Sequence, residues 1–118
     1  MENNINNPLD SETIVKIRFS PEEKRKCFVS LRKKIIKLLY LIEEEQQGTI
    51  QIDQWFYGLM FELASSNSLC DNALTDVVVK IHGLYEDGHY RSMQHDQIKR
   101  QIMESKGILD FLIKQLDK

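Results

Sequence analysis

One stretch narrows the possible folds more than any other. From Ser20 to Gly48 the chain opens with S-P-E-E and then carries apolar side chains at Cys27, Phe28, Leu31, Ile35, Leu38, Leu39 and Ile42. Ser20 can cap the first turn, Pro21 suits the first helical position, and Glu23 can reach back to complete a capping box. At 100° per residue the seven apolar positions fall in one stripe about 120° wide. Gly48 supplies a stop. Helix 1 is therefore expected over about residues 21–46, with an apolar stripe that must be buried against other elements.

The rest of the chain supplies those elements. Thr49–Ile52 (TIQI) reads as a short extended link, and Asp53 can cap the next helix. Helix 2, about 54–65, holds Trp55, Phe56, Tyr57, Leu59, Met60, Phe61 and Leu63, with Glu62 its only charge. Apolar groups reach almost all the way round, which predicts a central helix with Trp55 buried. The polar run SSNS reads as a loop. Helix 3, about 71–86, aligns Leu74, Val77, Val78, Ile81, Leu84 and Tyr85, and Gly88 ends it. Helix 4, about 92–117, has a seam of Ile98, Ile102, Leu109, Leu112 and Leu116, with Gly107 a place to bend.

Before helix 1, residues 13–19 alternate Val15, Ile17 and Phe19 with Lys16 and Arg18, the period of a strand or extended arm. Residues 1–12 are Asn-rich and polar and read as a disordered tail. The expected fold is all-α: a compact four-helix bundle, long-short-short-long, with extended segments near 13–19 and 49–52. At 118 residues it is one domain, residues 13–118. No stretch approaches the roughly 20 apolar residues of a membrane span. The N-terminus also lacks the basic start and apolar core of a signal peptide. The expected compartment is the cytoplasm, where Cys27 and Cys70, 43 residues apart in the sequence, stay reduced.

Chemistry is sparse. The segment from Glu43 to Gln54 has helices on both sides and a glycine where a calcium loop needs one. Its twelfth position is Gln54, and a neutral amide cannot clamp calcium with two carboxylate oxygens. His82, His89 and His95, with Glu86, Asp87 and Asp96, offer metal-ligand types. Their spacings of seven and six across a glycine turn do not place them on one helix face. No metal or other cofactor is expected. Nor does the sequence contain a nucleophile beside a base, paired carboxylates on one face, or a glycine-rich phosphate loop, so no enzymatic activity is expected.

Two features point to binding. Helix 1 carries Lys24, Arg25, Lys26, Arg32, Lys33, Lys34 and Lys37, seven of the chain's sixteen Lys and Arg, although the net charge is −2. Val29, Ile36 and Tyr40, spaced seven and four, form a second ridge about 120° from the core stripe. Lys26, Lys33 and Lys37 rim it. An apolar strip with a charged rim has the anatomy of a protein interface. The main expectation is thus a small helical interaction module: a regulatory partner, inhibitor or structural subunit that docks through helix 1 or self-associates. Ile108 and Phe111, off the helix 4 seam, are further contact candidates.

The alternative is nucleic-acid binding. The order helix, TIQI, helix, turn, helix and LYEDGHYRS over about residues 49–93 resembles a winged-helix domain. The resemblance implies a recognition helix presenting Asn72, Thr75, Asp76 and Lys80. The connection SSNSLCD is longer than the tight turn of a helix-turn-helix, and Asp71 and Asp76 add negative charge where phosphates would lie. The basic face of helix 1 is the other surface a phosphate backbone could use. R91-SMQ-H95 is similar to the Arg-and-His pair of HEPN-type ribonucleases, at a shorter spacing than that family's.

Overall fold

The computed structural model describes residues 18–44 and 50–117, and for residues 87–89 the backbone only. The chain is an all-α bundle. It comprises α1 (Pro21–Glu44), α2 (Ile50–Leu69), α3 (Thr75–Tyr85), a 3₁₀ segment (Glu86–Ser92) and α4 (His95–Leu116). Each helix packs on its neighbours in chain order, and α4 closes the ring against α1. Among the described residues no helix is long and apolar enough to cross a membrane.

α1 begins as its local chemistry dictates. The Ser20 backbone N–H donates to Glu23 Oε1 at 2.9 Å, and the Glu23 N–H donates to Ser20 Oγ at 3.2 Å. These reciprocal bonds form the capping box, and they hold the Glu23 carboxyl below its ordinary range. The predicted stripe is the core face: Phe28, Leu31, Ile35, Leu38 and Ile42 are buried, with Cys27 and Leu39 packed at its margin. Gly48 and the predicted helix stop lie outside the described residues, as does the tail read over 1–12.

α2 corrects the sequence reading at both ends. Ile50–Ile52 is helical, not extended; Thr49 lies outside the described residues. Ile52 opens the stripe Ile52, Phe56, Leu59 and Leu63, all buried. The β preference of isoleucine is a weak local term that packing overrides. The SSNS run is helical too. Ser66 continues the inward stripe, and the Asn67 side chain secures the following turn: its Oδ1 accepts from the Leu74 N–H at 2.8 Å and its Nδ2 donates to Thr75 Oγ1 at 3.1 Å. The bundle is therefore long, long, short, long. Of the arm read over 13–19 only Arg18 and Phe19 are described, and neither is in a strand.

The α2–α3 turn explains why α3 starts at Thr75 and not at residue 71. Asp71 and Asn72 adopt left-handed backbone, φ 55° and 61°, which Asp and Asn tolerate better than most residues. The Asn72 N–H reaches back to the Asn67 carbonyl at 2.8 Å, the closing bond of a Schellman-type helix end.

α2 is not central in the sense expected. Tyr57 and Phe61 are 61% and 69% exposed, and Trp55 is half-buried with its indole N–H donating to the Lys34 carbonyl at 2.9 Å. Apolar residues on every side of α2 did not mean burial on every side. The largest unforeseen core member is Tyr90, fully buried in the 3₁₀ segment, its ring 4.7 Å from that of Phe56. Burial, together with its bond to Asp53, pushes the phenol pKa well up.

Candidate interaction surface

Four of the seven cations of α1 are committed within the chain. Lys24 pairs with Asp71, Arg32 with Asp110 and Lys34 with Glu62, while Arg25 Nε reaches Asp117 at 2.7 Å. Each carboxylate comes from another helix or turn, so the pairs stitch α1 to its neighbours. The partners hold the Asp71, Asp110 and Asp117 carboxyls below the ordinary range, chiefly through hydrogen bonds from Lys24, Lys106 and Arg25 respectively. Lys26, Lys33 and Lys37 make no ion pair among the described residues. They are the three that rim the predicted ridge.

The ridge itself is graded. Val29 is half-buried, Ile36 is 37% exposed and Tyr40 is 57% exposed, with the Lys37 ammonium 5.7 Å from its ring centre. Tyr40 forms one wall of a shallow groove of about 540 Å³ between α1 and α2, with Lys37, Leu41, Glu44, Gln51, Gln54 and Trp55. A second hollow between the same helices lies over Lys34, Trp55, Gly58 and Glu62. The two share Trp55 and Gln54, so one groove runs along the α1–α2 joint with Trp55 in its floor. On the far side of α2 a smaller apolar hollow of about 200 Å³ is lined by Tyr57, Met60, Phe61, Ala64, Val78 and His82.

Between these grooves stands the outer face of α2, which sequence reasoning missed. Ile50, Tyr57 and Phe61 are exposed there, Ile50 by 74%. The two acids of α2 both turn away from it: Asp53 accepts from the Tyr90 hydroxyl and from Arg91, and Glu62 from Lys34. The outer face is left without a charge. Its signal was present in the spacing of the apolar residues, but apolarity all round the helix concealed which side faced out.

Of the remaining candidates, Arg91 and His95 take structural parts, and the side chains of Asp87 and His89 lie outside the described residues. Arg91 is held by Asp53, and His95 Nε2 donates to the Ile42 carbonyl at 3.1 Å, fastening the start of α4 to the end of α1. His82 lies 4.0 Å from Glu86 on the surface. Of the calcium-loop positions, Glu43 faces Lys99 at 3.4 Å and Gln54 lies within α2; Glu45 and Gln47 fall outside the described residues. Among the described residues no three His, Cys, Asp or Glu side chains are arranged to hold a metal ion. Cys27 and Cys70 are free thiols brought together at the α1–α2 contact, where burial first and Cys27 second push the Cys70 thiol up to about 12. The helix 4 residues divide: Phe111 is 59% exposed, whereas Ile108 packs against the core.

The winged-helix resemblance loses its fold: among the described residues there are no strands, and LYEDGHYRS forms the end of α3 and a 3₁₀ segment. On the expected recognition face Lys80 is engaged with Glu104 at 3.0 Å, and Thr75 is tied to Asn67 and Asn72. No family model matches the chain, and neither a curated protein nor a solved structure matches it at a significant level.

Proposed function

We propose that this protein is a non-enzymatic helical interaction module. It docks a protein partner through the side of the bundle where Tyr40 of α1 and the Trp55 groove adjoin the outer face of α2. The observation that carries this reading is the contrast in charge. Lys24, Arg25, Arg32 and Lys34 of α1 are paired with carboxylates of other helices and turns, while this side keeps aromatic groups in water and has Lys26, Lys33 and Lys37, without an ion pair among the described residues, at its rim. Exposed aromatics bordered by unpaired lysines match the composition of interface centres and rims. A nucleic-acid partner would need several cations free to neutralise phosphates, and most of those on α1 are engaged.

Capture from the native host tests the reading, with wild type compared with Tyr40→Asp, Phe61→Asp and a Lys26, Lys33, Lys37→Glu triple variant. A protein retained after nuclease treatment and lost with Tyr40→Asp or Phe61→Asp supports it. Retention that depends on the lysines alone and vanishes with nuclease turns the assignment to nucleic acid.

A further inference from the structure

We infer, resting on the interaction reading above, that the outer face of α2 pairs with the same face of a second copy, the two helices antiparallel about a two-fold axis. The outward residues are Ile50, Gln54, Tyr57, Phe61, Ala64 and Ser68, all exposed. They are spaced alternately four and three, the a and d positions of a heptad, and that seam fits against another helix at a shallow angle.

Shape selects the occupant. The strip is bulky at its N-terminal end, aromatic at its centre and small at its C-terminal end. Antiparallel pairing sets Tyr57 of each copy against Phe61 of the other, Gln54 against Ala64, and Ile50 against Ser68. Large meets small at both ends, and four aromatic rings fill the middle. Parallel pairing sets bulk on bulk at one end and leaves a gap at the other, which close-packed interfaces do not tolerate. A two-fold interface is self-complementary by construction, so each favourable pair occurs twice.

Charge gives the same answer. A partner that laid a carboxylate or ammonium on this strip would bury it without a counter-charge, and the lost hydration would oppose binding. A second copy brings none. Area is sufficient as well. Tyr57 and Phe61, at 61% and 69% exposed, leave on the order of 100–150 Å² each. Four such rings, with Ile50, Met60 and the helix flanks, approach the roughly 1,000 Å² of a specific interface.

The test is sedimentation equilibrium of the full chain from about 1 µM to about 1 mM, followed by register-specific cross-linking. Wild type is expected to dimerise. Phe61→Asp should weaken the dimer by at least about tenfold with far-UV circular dichroism unchanged, and Ala64→Arg should do the same. Under mild oxidation an equimolar mixture of Gln54→Cys and Ala64→Cys chains should cross-link, while neither variant cross-links alone and wild type does not. A Gln54→Cys homodimer would mean a parallel pair and overturn the packing. A dimer that survives both Phe61→Asp and Ala64→Arg lies elsewhere on the bundle and also overturns it. A chain that stays monomeric throughout refutes self-pairing. In that case a host protein lost with Phe61→Asp leaves the interaction reading standing, and a host protein indifferent to Phe61→Asp and Tyr40→Asp removes that as well.

Discussion

α1 and α2 lie side by side and both carry apolar residues beyond their core stripes, yet they meet water differently. α1 surrounds its core stripe with cations, and four of them reach carboxylates on α2, α4 and the turns. α2 has two acids, both turned toward neighbours, and an outer face of aromatic and uncharged groups. The polar surface of α1 is used to join the bundle. Among the described residues the outer surface of α2 carries no charged side chain that ties it to another helix. Exposure of large apolar groups informs only when the charged residues that would normally cover them are engaged elsewhere.

The sharpest way to break this comparison is within α2 itself. Phe56 is fully buried between the Tyr85 and Tyr90 rings, so Phe56→Ala should cost about 3–5 kcal/mol in denaturant unfolding. A loss under about 1 kcal/mol would mean the inner face of α2 is not core.

Next in size is the Asp53 clasp, which turns an acid of α2 inward. Tyr90→Phe removes a hydrogen bond to a carboxylate and should cost about 1.5–3 kcal/mol near neutral pH. Because the folded phenol pKa is raised, its contribution is present below the unfolded tyrosine value of about 10 and is lost as pH rises above it. Wild type should therefore lose stability in alkali more steeply than Tyr90→Phe. Parallel alkaline melting curves would break the clasp.

The ion pairs of α1 come third. Asp71, Asp110 and Asp117 have lowered folded pKa values. Their contribution is therefore present above the unfolded Asp value of about 3.9 and is lost as pH falls through the folded values. Melting temperature should hold between pH 7 and pH 5 and drop below about pH 4. The pairs are partly exposed, so Arg32→Met should cost no more than about 1 kcal/mol, and salt should shrink the difference.

The smallest effect is the most telling. Tyr57→Ser or Phe61→Ser should change unfolding free energy by less than about 0.5 kcal/mol at dilutions where the chain is monomeric. A larger loss would make these residues part of the monomer's core, and the contrast between the two helices would vanish.

Much of this architecture is local and could be read from the chain. The capping box at Ser20 and Glu23, the core stripe of α1 and the seam of α4 depend on near neighbours and on a 3.6-residue period, and the structure has them as expected. The all-α class follows from the same periodicities. What tertiary structure decided is non-local. The length of α2 came from packing at Ile52 and Ser66 and from Asn67 holding the next turn, against the strand and loop preferences of those residues. Tyr90 sits in a glycine turn with no period to betray its burial. The neutralisation of α1 joins residues 28 to 92 positions apart, and no local pattern announces that Asp117 will find Arg25. Which side of α2 faces water was undetermined for the same reason: a helix apolar all round carries no moment of its own, so only the placement of α1 and α3 could choose.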